Sequence, residues 1–139
     1  MEIKTKFDIG DVCWIEFSGK SMDLPVNGVY VDIFEDDKKI EYSIGQPDSI
    51  KKYREDEVFK LRDVCGIKYN TVFTIGDIVW FMYNDNVCSG KIKSVRYIKF
   101  ISSINLRVIE NEIYGIENIP NMFDYCKLFK TKEDLIKSL

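Results

Sequence analysis

Histidine is absent from the 139 residues, and that decides most of the catalytic chemistry. Ser-His-Asp and Cys-His arrangements are excluded, and the commonest zinc ligand is missing. Proton transfer would fall to carboxylates, Lys or Tyr. The best-placed carboxylates are Asp11 and Asp77. Each follows a glycine, Gly10 or Gly76, in a pattern that caps backbone amides at a turn. No phosphate-cradling glycine loop, G-x-S-x-G or H-E-x-x-H stretch occurs. Cys13, Cys65, Cys88 and Cys126 form no C-x-x-C pair, so no structural zinc site is expected. The expectation is a binding protein, not an enzyme, with no cofactor and no metal.

The residue types that remain suit recognition. Trp14 and Trp80 are expected on an outer strand face, where an indole can stack, cage a cation or anchor a partner. Packing under a loop or between halves is the competing role. Tyr30, Phe34 and Tyr42, with Tyr97, Phe100 and Tyr114, form two aromatic groups, of which Tyr30 and Tyr97 are partner-binding candidates. Lys91, Lys93, Arg96 and Lys99 interleave with Ile92, Tyr97 and Phe100. Charge with rings is what a single-stranded nucleic-acid groove uses, and equally what a plain solvated strand edge shows. Glu35-Asp36-Asp37 and Glu55-Asp56-Glu57 are acidic clusters. They lack calcium-loop spacing, but an acidic face could imitate a nucleic-acid backbone. Residues 1–66 carry 10 cations against 15 anions, and residues 67–139 carry 10 against 8.

These residues sit within a repeat. Residues 7–17 read FDIGDVCWIEF and residues 73–83 read FTIGDIVWFMY. Phe7/Phe73, Ile9/Ile75, Gly10/Gly76, Asp11/Asp77 and Trp14/Trp80 coincide. Looser matches set Gly28-Val29-Tyr30-Val31 against Gly90-Lys91-Ile92-Lys93, Tyr42-Ser43-Ile44 against Tyr114-Gly115-Ile116, and Val58-Phe59-Lys60 against Leu128-Phe129-Lys130. Two units are therefore expected, 1–66 (acidic) and 67–139 (mildly basic), with Cys65-Gly66 as linker.

Each unit reads as short strands. Alternation puts Cys13, Ile15 and Phe17, and Val79, Phe81 and Tyr83, on core faces. Further strands are expected near 28–34, 38–44 and 55–60, then near 90–101, 104–110, 112–117 and 125–130. Glu35-Asp36-Asp37, Asn84-Asp85-Asn86 and Ser102-Ser103 read as turns. One helix is expected over 131–138, opened by Thr131 and Asp134. Its stripe is Leu135, Ile136 and Leu139.

Small antiparallel units of this length tend to close, because closure removes strand edges. The pattern Phe7-Asp8-Ile9-Gly10-Asp11-Val12-Cys13-Trp14, repeated at Phe73–Trp80, resembles the opening of SH3-like small barrels of the Tudor and KOW type. That resemblance implies a mainly β fold: two tandem SH3-like small antiparallel β-barrels with a short C-terminal α-helix. The segment Leu128–Leu135 resembles the ends of small proteins of bacteriophages and mobile elements. It implies a protein that binds and blocks a host protein, such as a CRISPR-type defence nuclease. The alternatives are a nucleic-acid-binding module using the second unit and a sequestering site for a nucleotide signal. The mixed-charge N-terminus, the lack of an 18-residue apolar run and unpaired thiols read as cytoplasmic, within a bacterial host cell.

Overall fold

A computed structural model describes residues 1–17, 19–46, 51–60 and 66–139. Cys65 lies outside the described residues, as does the side chain of Phe17. The fold is mainly β with one short helix. In the first half the strands are β1 (Glu2–Lys4), β2 (Val12–Phe17), β3 (Lys20–Phe34), β4 (Asp37–Ile44), β5 (Lys52–Arg54) and β6 (Phe59–Lys60). In the second they are β7 (Lys68–Asn70), β8 (Ile78–Tyr83), β9 (Asn86–Ile101), β10 (Val108–Ile116) and β11 (Met122–Asp124), before α1 (Lys132–Ser138). The strands expected at 104–110 and 112–117 are one strand, β10. The strand expected at 55–60 is a 3-10 turn, Glu55–Glu57, followed by β6. Thr131 caps α1 by accepting the Asp134 amide at 3.1 Å. No helix among the described residues is long and apolar enough to cross a membrane.

The long strands β3 and β9 each serve two ladders within their own half and a third with each other. The first part of β3 pairs with β2, which pairs with β6. Its second part pairs with β4, which pairs with β5. In the second half, β8 pairs with the start of β9, and β10 joins β9 to β11. The ladders among the described residues trace no closed hydrogen-bonded ring.

The repeat is written into the hydrogen bonds. Asp11 accepts the Asp8 amide at 2.7 Å, and Asp77 accepts that of Thr74 at 2.8 Å. Both carboxylates therefore cap turns, in which Gly10 and Gly76 take φ of +88° and +96° at little cost. Thr5 and Thr71 donate to the carbonyls of Phe7 and Phe73. Tyr42 and Tyr114 meet those same phenylalanines edge-on at 5.4 Å.

Backbone bonds correct one part of the repeat alignment. Val26 and Ile92 occupy equivalent places, bonded to Gly10 and Gly76. That sets Gly28 against Ser94, not Gly90. The reason is steric. A Cβ on Gly28 would lie 2.3 Å from Ser43 Oγ, and one on Gly115 would lie 2.3 Å from Ser94 Oγ. Each half keeps one glycine and one serine at this crossing, on opposite strands.

The halves 1–66 and 67–139 are fused by two antiparallel ladders. One is β1 with β7, centred on Ile3 and Tyr69. The other is β3 with β9, centred on Val31 and Tyr97. Both centres pair equivalent residues, so a pseudo-two-fold axis passes through them. The result is a continuous six-stranded sheet, β5-β4-β3-β9-β10-β11. Two apolar clusters fill the halves, and Met1 and Ile75 pack against both.

Candidate functional site

The six-stranded sheet has two unlike faces. Alternation along β3 buries Val29, Val31 and Ile33 and turns Tyr30, Asp32 and Phe34 outward. Along β9 and β10 it buries Val95, Tyr97, Glu112 and Tyr114, while Arg96, Ile98, Phe100, Ile109 and Ile113 belong to the outer set.

The inner face is closed chemistry. Glu112, 1% exposed, accepts the Val72 amide at 2.8 Å and the hydroxyls of Tyr69 and Tyr114. In the first half the corresponding carboxylate is Glu55, which accepts the Lys6 amide at 3.1 Å and the Tyr42 hydroxyl at 2.5 Å. By register, Glu55 corresponds to Tyr125 and Glu112 to Ile40. The halves thus reach one arrangement from different points in the chain. Tyr97 donates to Glu110, and its ring stacks on Tyr69 at 4.4 Å.

Burial, then the adjacent carboxylates, push the phenols of Tyr42, Tyr69, Tyr97 and Tyr114 well above their ordinary value. Unfolded phenols ionise near pH 10. Stability from this source is full below that pH and falls as pH rises above it, since the unfolded chain then releases protons that the fold retains. Urea melts should therefore weaken between about pH 9 and about pH 11, and Tyr97→Phe should shallow that loss. An unchanged pH slope in the variant would contradict the assignment.

The outer face is open. Tyr30, Ile98 and Phe100 are half-buried and Phe34 is 49% exposed. Asp32 and Arg96, paired at 2.6 Å, sit at its middle. A shallow hollow of about 290 Å³ spans both halves here, lined by Asp32, Phe34, Ser94, Arg96 and Met122. The Lys52 ammonium lies 4.0 Å from the Tyr30 ring centroid.

The β9–β10 hairpin extends this face. In the first half Glu35-Asp36 joins β3 to β4. Here residues 102–107 do so, which is six residues of extra chain by register. The loop is internally tied: Leu106 donates to the Ser102 carbonyl, and Ser102 to that of Arg107, each at 2.9 Å. It holds Ile104 at 93% and Leu106 at 68% exposure. Leu106 sits at φ +57°, a conformation a branched side chain rarely takes. The tied loop thus leaves two large apolar side chains bare to solvent.

The sequence candidates distribute as follows. Tyr97 is fully buried at the pseudo-two-fold axis, so it is corrected from a surface residue to a core one. Tyr30 is on the outer face. Trp14 is half-buried and stacks on Phe59 at 4.3 Å. Trp80 exchanges two backbone bonds with Phe129. Each tryptophan therefore pairs with the last extended segment of its own half, Phe59 in β6 or Phe129 in an isolated bridge.

The four cations do not converge. Arg96 points outward to Asp32, and Lys99 sits on the inner set, 2.9 Å from Asp8. Lys91 and Lys93 have no ion pair among the described residues. Glu35, Asp36 and Asp37 are exposed at a hairpin tip. Glu55 is committed to Tyr42, and Asp56 and Glu57 each lie 3.4 Å from Arg54. Of the second acidic cluster, Glu55 is thus turned inward, while Asp56 and Glu57 share Arg54 at the surface.

Ile104, Leu106, Ile109 and Ile98 are the surface residues that sequence reasoning missed. The signal available was Ile104-Asn105-Leu106 immediately after Ser102-Ser103, an apolar pair inside a turn. No group of three or more His, Cys, Asp or Glu able to hold a metal ion occurs among the described residues. Compared with protein families, curated proteins and solved structures, the chain matches none.

Proposed function

We propose that this chain is a non-enzymatic protein-binding module that docks through the outer sheet face and the 102–107 loop. The observation carrying this reading is the apolar run from Tyr30 through Ile98, Phe100 and Ile109 to the exposed Ile104 and Leu106, with Phe34 set beyond the Asp32–Arg96 pair. Aromatic and aliphatic anchors within a charged rim are what protein interfaces use. Here the charged groups beside the apolar run are Lys52, the Asp32–Arg96 pair and the acidic tip Glu35-Asp36-Asp37.

Each half is read as an SH3-like barrel unit. Support comes from the order β5-β4-β3-β2-β6 and the 3-10 turn between β5 and β6. The target is proposed to be a host protein, with a defence nuclease of the CRISPR type suggested by the closing-segment resemblance. Dispersal of Lys91, Lys93, Arg96 and Lys99 weighs against a nucleic-acid groove.

The test is capture of partners by tagged protein from bacterial lysate, with and without nuclease, alongside Phe100→Asp and Ile104→Asp. The parent is expected to hold a protein partner at near-equal stoichiometry after nuclease treatment. Each substitution should weaken that partner by about 2 kcal/mol, roughly thirtyfold in Kd. Partners that vanish with nuclease, or that both variants retain unchanged, would overturn the reading.

A further inference from the structure

A second apolar concavity lies apart from the sheet face, in the second half alone. Its volume is about 510 Å³, inside the range of roughly 300–1,000 Å³ that small-molecule sites occupy. Met82, Phe123, Phe129 and Leu135 supply an apolar lining, and Cys126, Lys127 and Ser138 supply the polar part. Among the described residues the first half shows no helix matching α1.

The construction of α1 is informative. Leu135 is its buried side chain among the described residues. Ile136 and Leu139 remain exposed, and Leu139 lines the cleft. Ser138 Oγ is turned back to the Leu135 carbonyl at 2.6 Å, so the lining polar group free to meet a ligand charge is the Lys127 ammonium. Lys127 is exposed and has no ion pair among the described residues. The surrounding segment 126–139 carries Lys127, Lys130, Lys132 and Lys137 against Glu133 and Asp134. A largely apolar lining that includes one exposed lysine complements a molecule with an apolar body and one negative end.

We propose that the cleft between α1, β8 and β11 binds a monocarboxylate with an apolar tail, its carboxylate on Lys127 and its tail among Met82, Phe123, Phe129 and Leu135. Cys126 lies on the same wall, so occupancy should shield its thiol.

The test is titration of the full chain with dansyl-undecanoate, followed by emission, with decanoate and decyltrimethylammonium as competitors. Saturable one-site binding is expected, displaced by decanoate and not by the cation. Lys127→Glu should weaken the probe by about tenfold or more. Ser138→Trp, at an exposed helical position, should fill the space and abolish binding. Thermal melts of both variants should match the parent, which separates lost binding from lost fold. Decanoate should also slow alkylation of Cys126. Unsaturable binding, equal displacement by both competitors, or unaltered affinity in Lys127→Glu would overturn the proposal. Loss of the probe in Ile104→Asp, with both cleft variants neutral, would place it on the sheet face and overturn it equally.

Discussion

Glu112→Ile is expected to cost about 3 kcal/mol of folding stability, because it removes the acceptor of three donors: the buried Tyr114 hydroxyl and the partly buried Tyr69 hydroxyl and Val72 amide. Against a total of about 5–15 kcal/mol for a typical domain, that is a large fraction. The repeat itself suggests the repair. The first half has Ile40 where the second has Glu112, and Glu55 where the second has Tyr125. Adding Tyr125→Glu to Glu112→Ile therefore rebuilds the first half's arrangement within the second. The double variant is expected to recover much of the loss, though not the Tyr69 contact, whose counterpart Ile3 has no hydroxyl. Urea melts followed by tryptophan fluorescence measure this. Equal stability of the single and double variants would refute the equivalence.

Dividing the chain at 66/67 is expected to leave no folded monomer. Residues 67–139 alone would lose the β1 partner of β7 and the whole β3 partner of β9. That exposes the edge of β9 from Ser94 to Phe100 and uncovers Tyr97, which packs with the apolar cluster of the first half. An unpaired, apolar edge of that length seeks another strand. Light scattering combined with circular dichroism, over a range of concentrations, distinguishes the outcomes. Unfolded or self-associated fragment is the expected result, and a well-folded monomer of 67–139 would overturn this account of the two ladders.

The reach of the sequence can be judged at particular residues. The repeat was readable because Gly10-Asp11 and Gly76-Asp77 make the same turn by the same local hydrogen bonds, and local geometry is encoded locally. The Thr131 cap of α1 was readable for the same reason. Gly28 misled, since glycine matched glycine at Gly90 while the steric constraint is shared between two strands and is met by Ser94 with Gly115. Strands β1 and β7 escaped notice. Three residues each, they have no periodicity of their own and exist because each pairs with the other.

The candidate surface divides in the same way. Tyr30 and Phe100 stood out as aromatics in strands, yet Tyr97, equally aromatic, is buried. Strand alternation alone says that Tyr97 and Ile98 face opposite ways. It does not say which side is covered. Glu112 reads as an ordinary strand carboxylate until Tyr69, Val72 and Tyr114 are brought to it.

By itself, then, the sequence determined the want of histidine chemistry through composition and the duplication through like segments, and the β character, the capped turns and the terminal helix because each depends on residues within a turn or two of one another. Only the tertiary structure decided that the halves share one sheet, that Tyr97 is core, that the four cations disperse, and that an apolar face and a cleft stay open. The shared sheet and the burial of Tyr97 depend on pairing across 60 or more residues, where register chooses which of two alternating faces meets water.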